Sequence, residues 1–285
     1  MKKKFISSFL VVMLLSSLIL SITAYAQEKD QLNLENDVSS FSGDSGGDVE
    51  LVKKITLESQ RKDVENNDDL SVEQKEAILE KINLAENLGK EDARQALQTP
   101  QTRGYMIMHV WPSKQWNNYY CGPATGVQTM CIMTRNLTGN LYTGDQALLA
   151  GVFNTTTAGT DGIVMKNKLN DRIRAMNGVG YVVLSPSSEA NMRSAVWMGM
   201  QQYDMPPILR VNCTTALGWP YTVSGGHFMN VSGCNDNAPL LYPEYEVTDP
   251  WIKHAKPANT TGKHWIRSAY VYNSTMNHFA KHFYF

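Results

Sequence analysis

Along the chain, an apolar start gives way to a polar middle and then to a long half where helical spacing yields to strand-like runs. Residues 5–22 form an apolar run broken only by serines. Residues 27–49 are polar and read as a flexible segment. A helix is expected from Ser71, where Ser71-Val72-Glu73-Gln74 fits a capping box. Ile78, Ile82 and Ala85 then follow at i, i+4 and i+7, with Leu79 beside them. Gly89 is a candidate stop, and 91–97 adds a further turn or two. A second helix is expected over 121–134, with Val127, Met130, Cys131 and Thr134 on one face, and a short third over 145–153. Met165, Leu169, Ile173 and Met176 mark a fourth, ended by Gly178. Ser188 caps a fifth, with Met192, Val196, Met200 and Tyr203 on its core face. Short apolar runs bounded by proline, 181–184 and 208–211, predict strands. So do 227–233 and 241–248, which flank a turn-rich 235–239, then 265–272 and the last few residues. Helices first and an antiparallel sheet second give an α+β fold.

Charge and composition divide the same chain in another way. Lys2, Lys3 and Lys4 precede the apolar run and Ala24-Tyr25-Ala26 follows it, so residues 1–26 read as a secretory signal peptide. The run is nearly long enough to span a membrane, but the Ala-x-Ala ending and the polar stretch behind it favour cleavage. The expected mature protein is secreted, extracellular or at the cell surface, with no stable membrane insertion. Residues 27–100 carry 18 Asp+Glu against 9 Lys+Arg, a net of −9. Residues 101–285 carry 9 against 14, a net of +5, and hold every Trp, His and Cys of the chain. The break sets a boundary near residue 100. Residues 27–100 are an acidic, partly helical linker or pro-segment, too poor in apolar residues to fold alone, and 101–285 form the main domain. An acidic amphipathic helix is suited to docking on the basic domain and covering its cleft. A plain spacer and a partner-binding tail are the other readings. The net charge of −1 over the whole chain gives no bias towards nucleic acid.

The candidate chemistry lies in the second part. Cys121 opens the 121–134 helix, six residues after Gln115. A helix N-terminus favours negative charge and biases a cysteine there towards thiolate. The Gln115 amide and the Cys121 N–H are candidate donors to an oxyanion. Gly122-Pro123 opens the helix and lets a substrate backbone approach closely, and proline in a first turn sacrifices no hydrogen bond. His227 is the candidate base. It follows Ser224-Gly225-Gly226 at a strand start, and none of His109, His254, His264, His278 and His282 has such a glycine approach. Asp249 is the candidate orienting acid. The midpoint of 227 and 249 is 238, inside the expected turn, so a hairpin brings the two within one or two residues of register. Pro250 ends the strand, Trp251 is placed to shield the pair, and Asp236 is a rival acid at the far end. Cys131, Cys213 and Cys234 remain, and if Cys121 stays free they allow at most one disulfide. The spacing offers no zinc site. Trp111, Trp116, Trp219 and Tyr221 are candidates for a cleft lining or for the core.

The order Gln–x5–Cys-Gly-Pro, then Gly-His at a strand start, then Asp-Pro at the next strand's end resembles papain-like cysteine peptidases over roughly 105–285. Within them it is similar to the bacteriocin-processing (double-glycine) peptidases and their transporter-free relatives. The resemblance implies a helix-plus-sheet papain-like fold, with Cys121, His227 and Asp249 as the triad, Gln115 at the oxyanion, and no metal or cofactor. The processing enzymes are fused to ABC transporters and act on the cytoplasmic side. An export signal and no transporter leave the peptide or protein substrate open here. Gly46-Gly47 resembles a double-glycine site, although such pairs are common in linkers. The expectation is a secreted cysteine peptidase that hydrolyses peptide bonds. A thiol acyltransferase or transamidase would use the same triad, and a catalytically silent surface-binding module would keep only the fold.

Overall fold

The computed structural model describes residues 55–95, 104–176, 178–223, 225–236, 242–251 and 262–285. The expected signal peptide, the polar segment 27–49 and the turn around residue 238 lie outside them. The described residues fall in one compact unit, Ser40–Phe285.

Two helices come first, α1 (Leu57–Glu65) and α2 (Val72–Gln95). The capping box at Ser71 forms. Ser71 Oγ accepts from Gln74 N–H at 3.3 Å, and Gln74 Oε1 accepts from Ser71 N–H at 3.1 Å. Ile78, Ile82 and Ala85 are buried as their spacing suggests. Gly89 does not stop α2, because a single glycine inside a helix costs only ~1 kcal/mol. Helix α1 carries no strong periodic signal and was not expected. Its capping box is a reciprocal pair, Thr56 with Ser59.

The remaining elements are β1 (Tyr105–Ile107), α3 (Cys121–Thr138), α4 (Gln146–Val152), α5 (Gly162–Ala175), β2 (Val183–Leu184), α6 (Glu189–Gln201) and β3 (Ile208–Val211). They continue with β4 (His227–Asn235), β5 (Glu244–Thr248), β6 (Lys263–Arg267), α7 (Ser268–Asn277) and β7 (Phe283–Tyr284). The strands build one antiparallel sheet in the order β2-β7-β3-β4-β5-β6, with β1 added to the far end of β4. This is the α+β arrangement expected, with helices packed on an antiparallel sheet.

Two expectations are corrected. The 265–272 run is not one strand. Pairing of β6 with β5 ends at Glu244↔Arg267; Ser268 N–H still donates to Pro243 O at 2.9 Å, but Pro243 has no N–H to continue the ladder, and the chain turns into α7. Ser268 Oγ is hydrogen-bonded to Glu189 at that switch. Helix α3 also does not bury the Val127, Met130, Cys131 and Thr134 face. Cys121 to Gly126 are all buried, then Gln128, Thr129, Met130, Ile132 and Met133, whereas Val127, Cys131 and Thr134 are half-buried. The helix packs on β4 and also on α4 and α5, so its buried surface is wider than one amphipathic stripe.

The α1–α2 hairpin docks on the β2 edge of the sheet and on α6. The Gln60 side chain acts as a substitute strand residue, donating to Val183 O and accepting from Val183 N–H, both at 2.8 Å. Lys81 is fully buried, donates to Gly180 O at 3.0 Å and lies 4.3 Å from the Tyr203 ring centroid. Gln74 Nε2 donates to Arg174 O at 3.0 Å. The hairpin thus seats on one sheet edge, with Ile78 and Ile82 buried and amide bonds from Gln60 and Gln74.

Candidate active site

Helix α3 places Cys121 at its first residue. Tyr120 is the N-cap and makes no side-chain capping bond, and the helix end carries a positive partial charge. The helix is pinned to β4 three residues after His227. Thr129 Oγ1 donates to Asn230 Oδ1 at 3.0 Å, and Asn230 Nδ2 donates to Thr125 O at 3.2 Å. Gly225 and Gly226 lead into β4 with φ of 83° and 84°. Side chains are strained in that left-handed region, which explains the glycine pair before His227.

The register between β4 and β5 sets the acid. Asn235↔Glu244, Cys234↔Tyr245 and Gly233↔Glu246 pair in one register, and Val231↔Val247 and Asn230↔Thr248 pair in the next, with Ser232 as the extra residue of a bulge. Continued by one residue, the second register sets Asp249 opposite Met229, on the same face as His227 and two residues from it. Without the bulge Asp249 would face Asn230, and its side chain would lie on the other side of the sheet.

Three of the expected residues come together. His227 Nε2 is 2.8 Å from Asp249 Oδ1, and the Cys121 thiol is within hydrogen-bond reach of the His227 side chain. All three are buried, Cys121 and His227 completely. With Nε2 on the carboxylate, Nδ1 is the ring nitrogen left to face sulfur. Burial disfavours a charge on His227, but the adjoining Asp249 carboxylate and Cys121 outweigh it and push its pKa up to about 10. Burial likewise opposes charge on Asp249. His227, His264 and Tyr221 outweigh it and hold the carboxyl below its usual range. Trp251 shields the pair as expected. Its ring meets His227 edge-on at 6.5 Å between centroids, and its backbone N–H donates to Asp249 Oδ1 at 2.8 Å.

Gln115 is 6% exposed and tied to the acid's loop, its N–H donating to Pro250 O at 3.1 Å. Its side-chain nitrogen donates one hydrogen to Asn117 O at 2.8 Å, which leaves the second for another acceptor. The space above Gly122 is not left for a substrate backbone: a Cβ there would lie 2.5 Å from Thr160 Oγ1. Asp236 faces Arg193 at 3.6 Å, at the other end of β4 from His227. Cys121, Cys131, Cys213 and Cys234 are all free thiols. Trp219 and Tyr221 are buried, while Trp111 is exposed.

Sequence reasoning missed three neighbours. The Tyr221 hydroxyl donates to Asp249 Oδ2. Cys213 is within hydrogen-bond reach of Tyr221, and burial first, then the Asp249 charge, raises its thiol pKa. His264, paired with Val247 across the sheet, has both ring nitrogens buried with no hydrogen-bond partner among the described residues. Burial outweighs the pull of Asp249 and holds its pKa below the usual histidine value. Only loop aromaticity marked Tyr221 in the sequence. His264 would have emerged from extending the β5–β6 alternation, since it follows Asp249 by one hairpin.

No family model matches the chain, and no curated protein matches it. Among solved structures, it is similar to the peptidase domain of Streptococcus ComA, described as a bi-functional ABC transporter involved in a quorum-sensing pathway. Identity there is 15%, coverage 62% of this chain and 97% of that one, and TM-score 0.37. It is similar to the proform of the ragweed pollen cysteine protease Amb a 11 at 11% identity, 80% and 92% coverage and TM-score 0.45. It is similar to digestive procathepsin L 3 of the Tenebrio molitor larval midgut at 10% identity, 81% and 99% coverage and TM-score 0.43. Likenesses this distant do not assign an activity.

Proposed function

We propose that the protein is an exported, papain-like cysteine peptidase in which Cys121, His227 and Asp249 form the triad and Gln115 assists at the oxyanion. One observation carries this reading. A thiol at the first residue of a helix lies beside an imidazole whose other nitrogen is 2.8 Å from a buried carboxylate. That order of groups suits nucleophilic acyl transfer. His227 takes the Cys121 proton, and the sulfur attacks a peptide carbonyl. The oxyanion that forms is met by the Cys121 N–H and the remaining amide hydrogen of Gln115. Asp249 balances the imidazolium. His227 then returns its proton to the leaving amine, and water, deprotonated by His227, hydrolyses the thioester and frees Cys121.

The buried Cys121 fits a site that opens to admit substrate. The N-terminal basic and apolar residues support export, and the α1–α2 hairpin supports a pro-segment or clasp that stays with the domain. The test is a peptide library incubated with the full chain and with Cys121→Ala. Cleavage by the first and none by the second, with matching unfolding curves, is expected. Undiminished cleavage by Cys121→Ala would sink the assignment. Transfer of the acyl group to an added amine in preference to water would move it to a transamidase.

A further inference from the structure

Asp249 has more partners than holding one imidazole requires. It is 1% exposed. Its Oδ1 receives two hydrogen bonds, from His227 Nε2 and Trp251 N–H, both at 2.8 Å. Its Oδ2 receives the Tyr221 hydroxyl. Tyr221 is 6% exposed and precedes the glycine loop that delivers His227. Its ring is flanked by Trp219 at 6.3 Å, which is tethered in turn by its Nε1–H to Ser274 Oγ. The Cys213 thiol is also within hydrogen-bond reach of the Tyr221 hydroxyl. The result is a continuous chain of polar side chains, Cys213–Tyr221–Asp249–His227–Cys121.

We propose that Tyr221 is a positioning residue of this array, its hydroxyl holding Oδ2 of Asp249 so that Oδ1 stays aimed at the His227 ring. The proposal rests on Cys121, His227 and Asp249 being the reacting groups. A carboxylate with one oxygen fixed twice and the other unbound is free to tilt, and in a dry site the unbound oxygen carries an uncompensated desolvation cost. The Tyr221 donor removes both problems, and it favours the charged carboxylate over the neutral acid. The titratable groups facing Asp249 are His227 on β4, His264 on β6, Tyr221 and Cys213 from the loops after β3, and Cys121 beyond the imidazole. Among the described residues, only His227, Tyr221 and the Trp251 backbone donate to it.

Tyr221→Phe keeps the ring and deprives Oδ2 of its donor. The charged form loses a hydrogen bond, so Asp249 takes its proton at higher pH, by about one unit. The acid limb of kcat/KM moves up by the same amount, and KM at neutral pH stays unchanged. Fluorotyrosine at position 221 is nearly isosteric and a stronger donor, so it moves the Asp249 midpoint down, which keeps the proposal testable if the phenylalanine variant folds poorly. Trp219→Phe disturbs packing of the same loop without touching the carboxylate and leaves the midpoint in place. The experiment follows the Asp249 carboxyl carbon by NMR across an acid titration of the full chain. Opposite shifts for phenylalanine and fluorotyrosine are expected. An unmoved midpoint in both, or a shift of equal size in Trp219→Phe, overturns the proposal. The titration needs no substrate, so opposite shifts in a protein that cleaves no peptide would uphold Tyr221 and count against the peptidase reading alone.

Discussion

The His227–Asp249 pair makes a definite statement about pH. His227 is raised to about 10, so its contribution to folding is complete below the unfolded value of about 6.5 and is lost as pH climbs through about 10. Asp249 is depressed, so its contribution is complete above about 4 and is lost as pH falls through its lower folded value. The pair therefore stabilises most between about pH 4 and 6.5. Asp249→Asn should cost more stability in urea unfolding at the acid end of neutrality than at the alkaline limit, and an equal cost at both would show that the pair is not ionised as described. These two residues were legible in the sequence because each sits on a local signal, glycines before His227 and proline after Asp249. Tyr221 was not, since its closeness to Asp249 is created by loop packing that no spacing records, whereas His264 follows from the β5–β6 register once that hairpin is extended. The Gly122 expectation failed for a related reason: a glycine shows that something approaches, not whether it is substrate or, as here, Thr160.

The elements carry one feature on which the site depends, the bulge at Ser232. The hairpin symmetry about residue 238 was enough to bring residues 227 and 249 to the same end, but symmetry alone does not choose the face. The bulge does, by shifting register between Gly233↔Glu246 and Val231↔Val247. Deleting Ser232 should leave β4 paired with β5 while turning His227 away from Asp249. The expected outcome is a folded protein whose His227 ring titrates near the usual histidine value instead of about 10. Retention of the raised value would contradict the role given to the bulge. Strand β6 shows why the 265–272 run misled. Its apolar residues are strand-like throughout, yet the ladder stops after Arg267 because the next position on the β5 side is Pro243, which accepts from Ser268 N–H but has no N–H to give back.

Across the whole molecule, the acidic N-terminal region was legible as a separate compositional block, but its seat was not. The side chains that seat it are Gln60, on the unanticipated helix α1, and Ile78, Lys81 and Ile82 on α2. Gln60 completes the hydrogen bonding of the edge strand β2, three strands from β4 in the sheet order. If apolar packing holds the hairpin, Ile82→Ala costs about 2–5 kcal/mol. Lys81→Met, which removes a buried amine held by Gly180 O, Met205 Sδ and the Tyr203 and Phe285 rings, costs under about 1 kcal/mol or stabilises. Urea unfolding of the full chain compares them, and a larger loss for Lys81→Met would make the Lys81 amine the anchor instead. If Cys121 is the nucleophile proposed above, it carries a covalent acyl group during turnover. Acid-quenched mass spectrometry of the full chain during peptide cleavage reads this out. The expected result is a thioester-linked acyl group on Cys121 that forms and decays with turnover. Cleavage that proceeds with no Cys121 adduct, at a rate unchanged in Cys121→Ala, would contradict it.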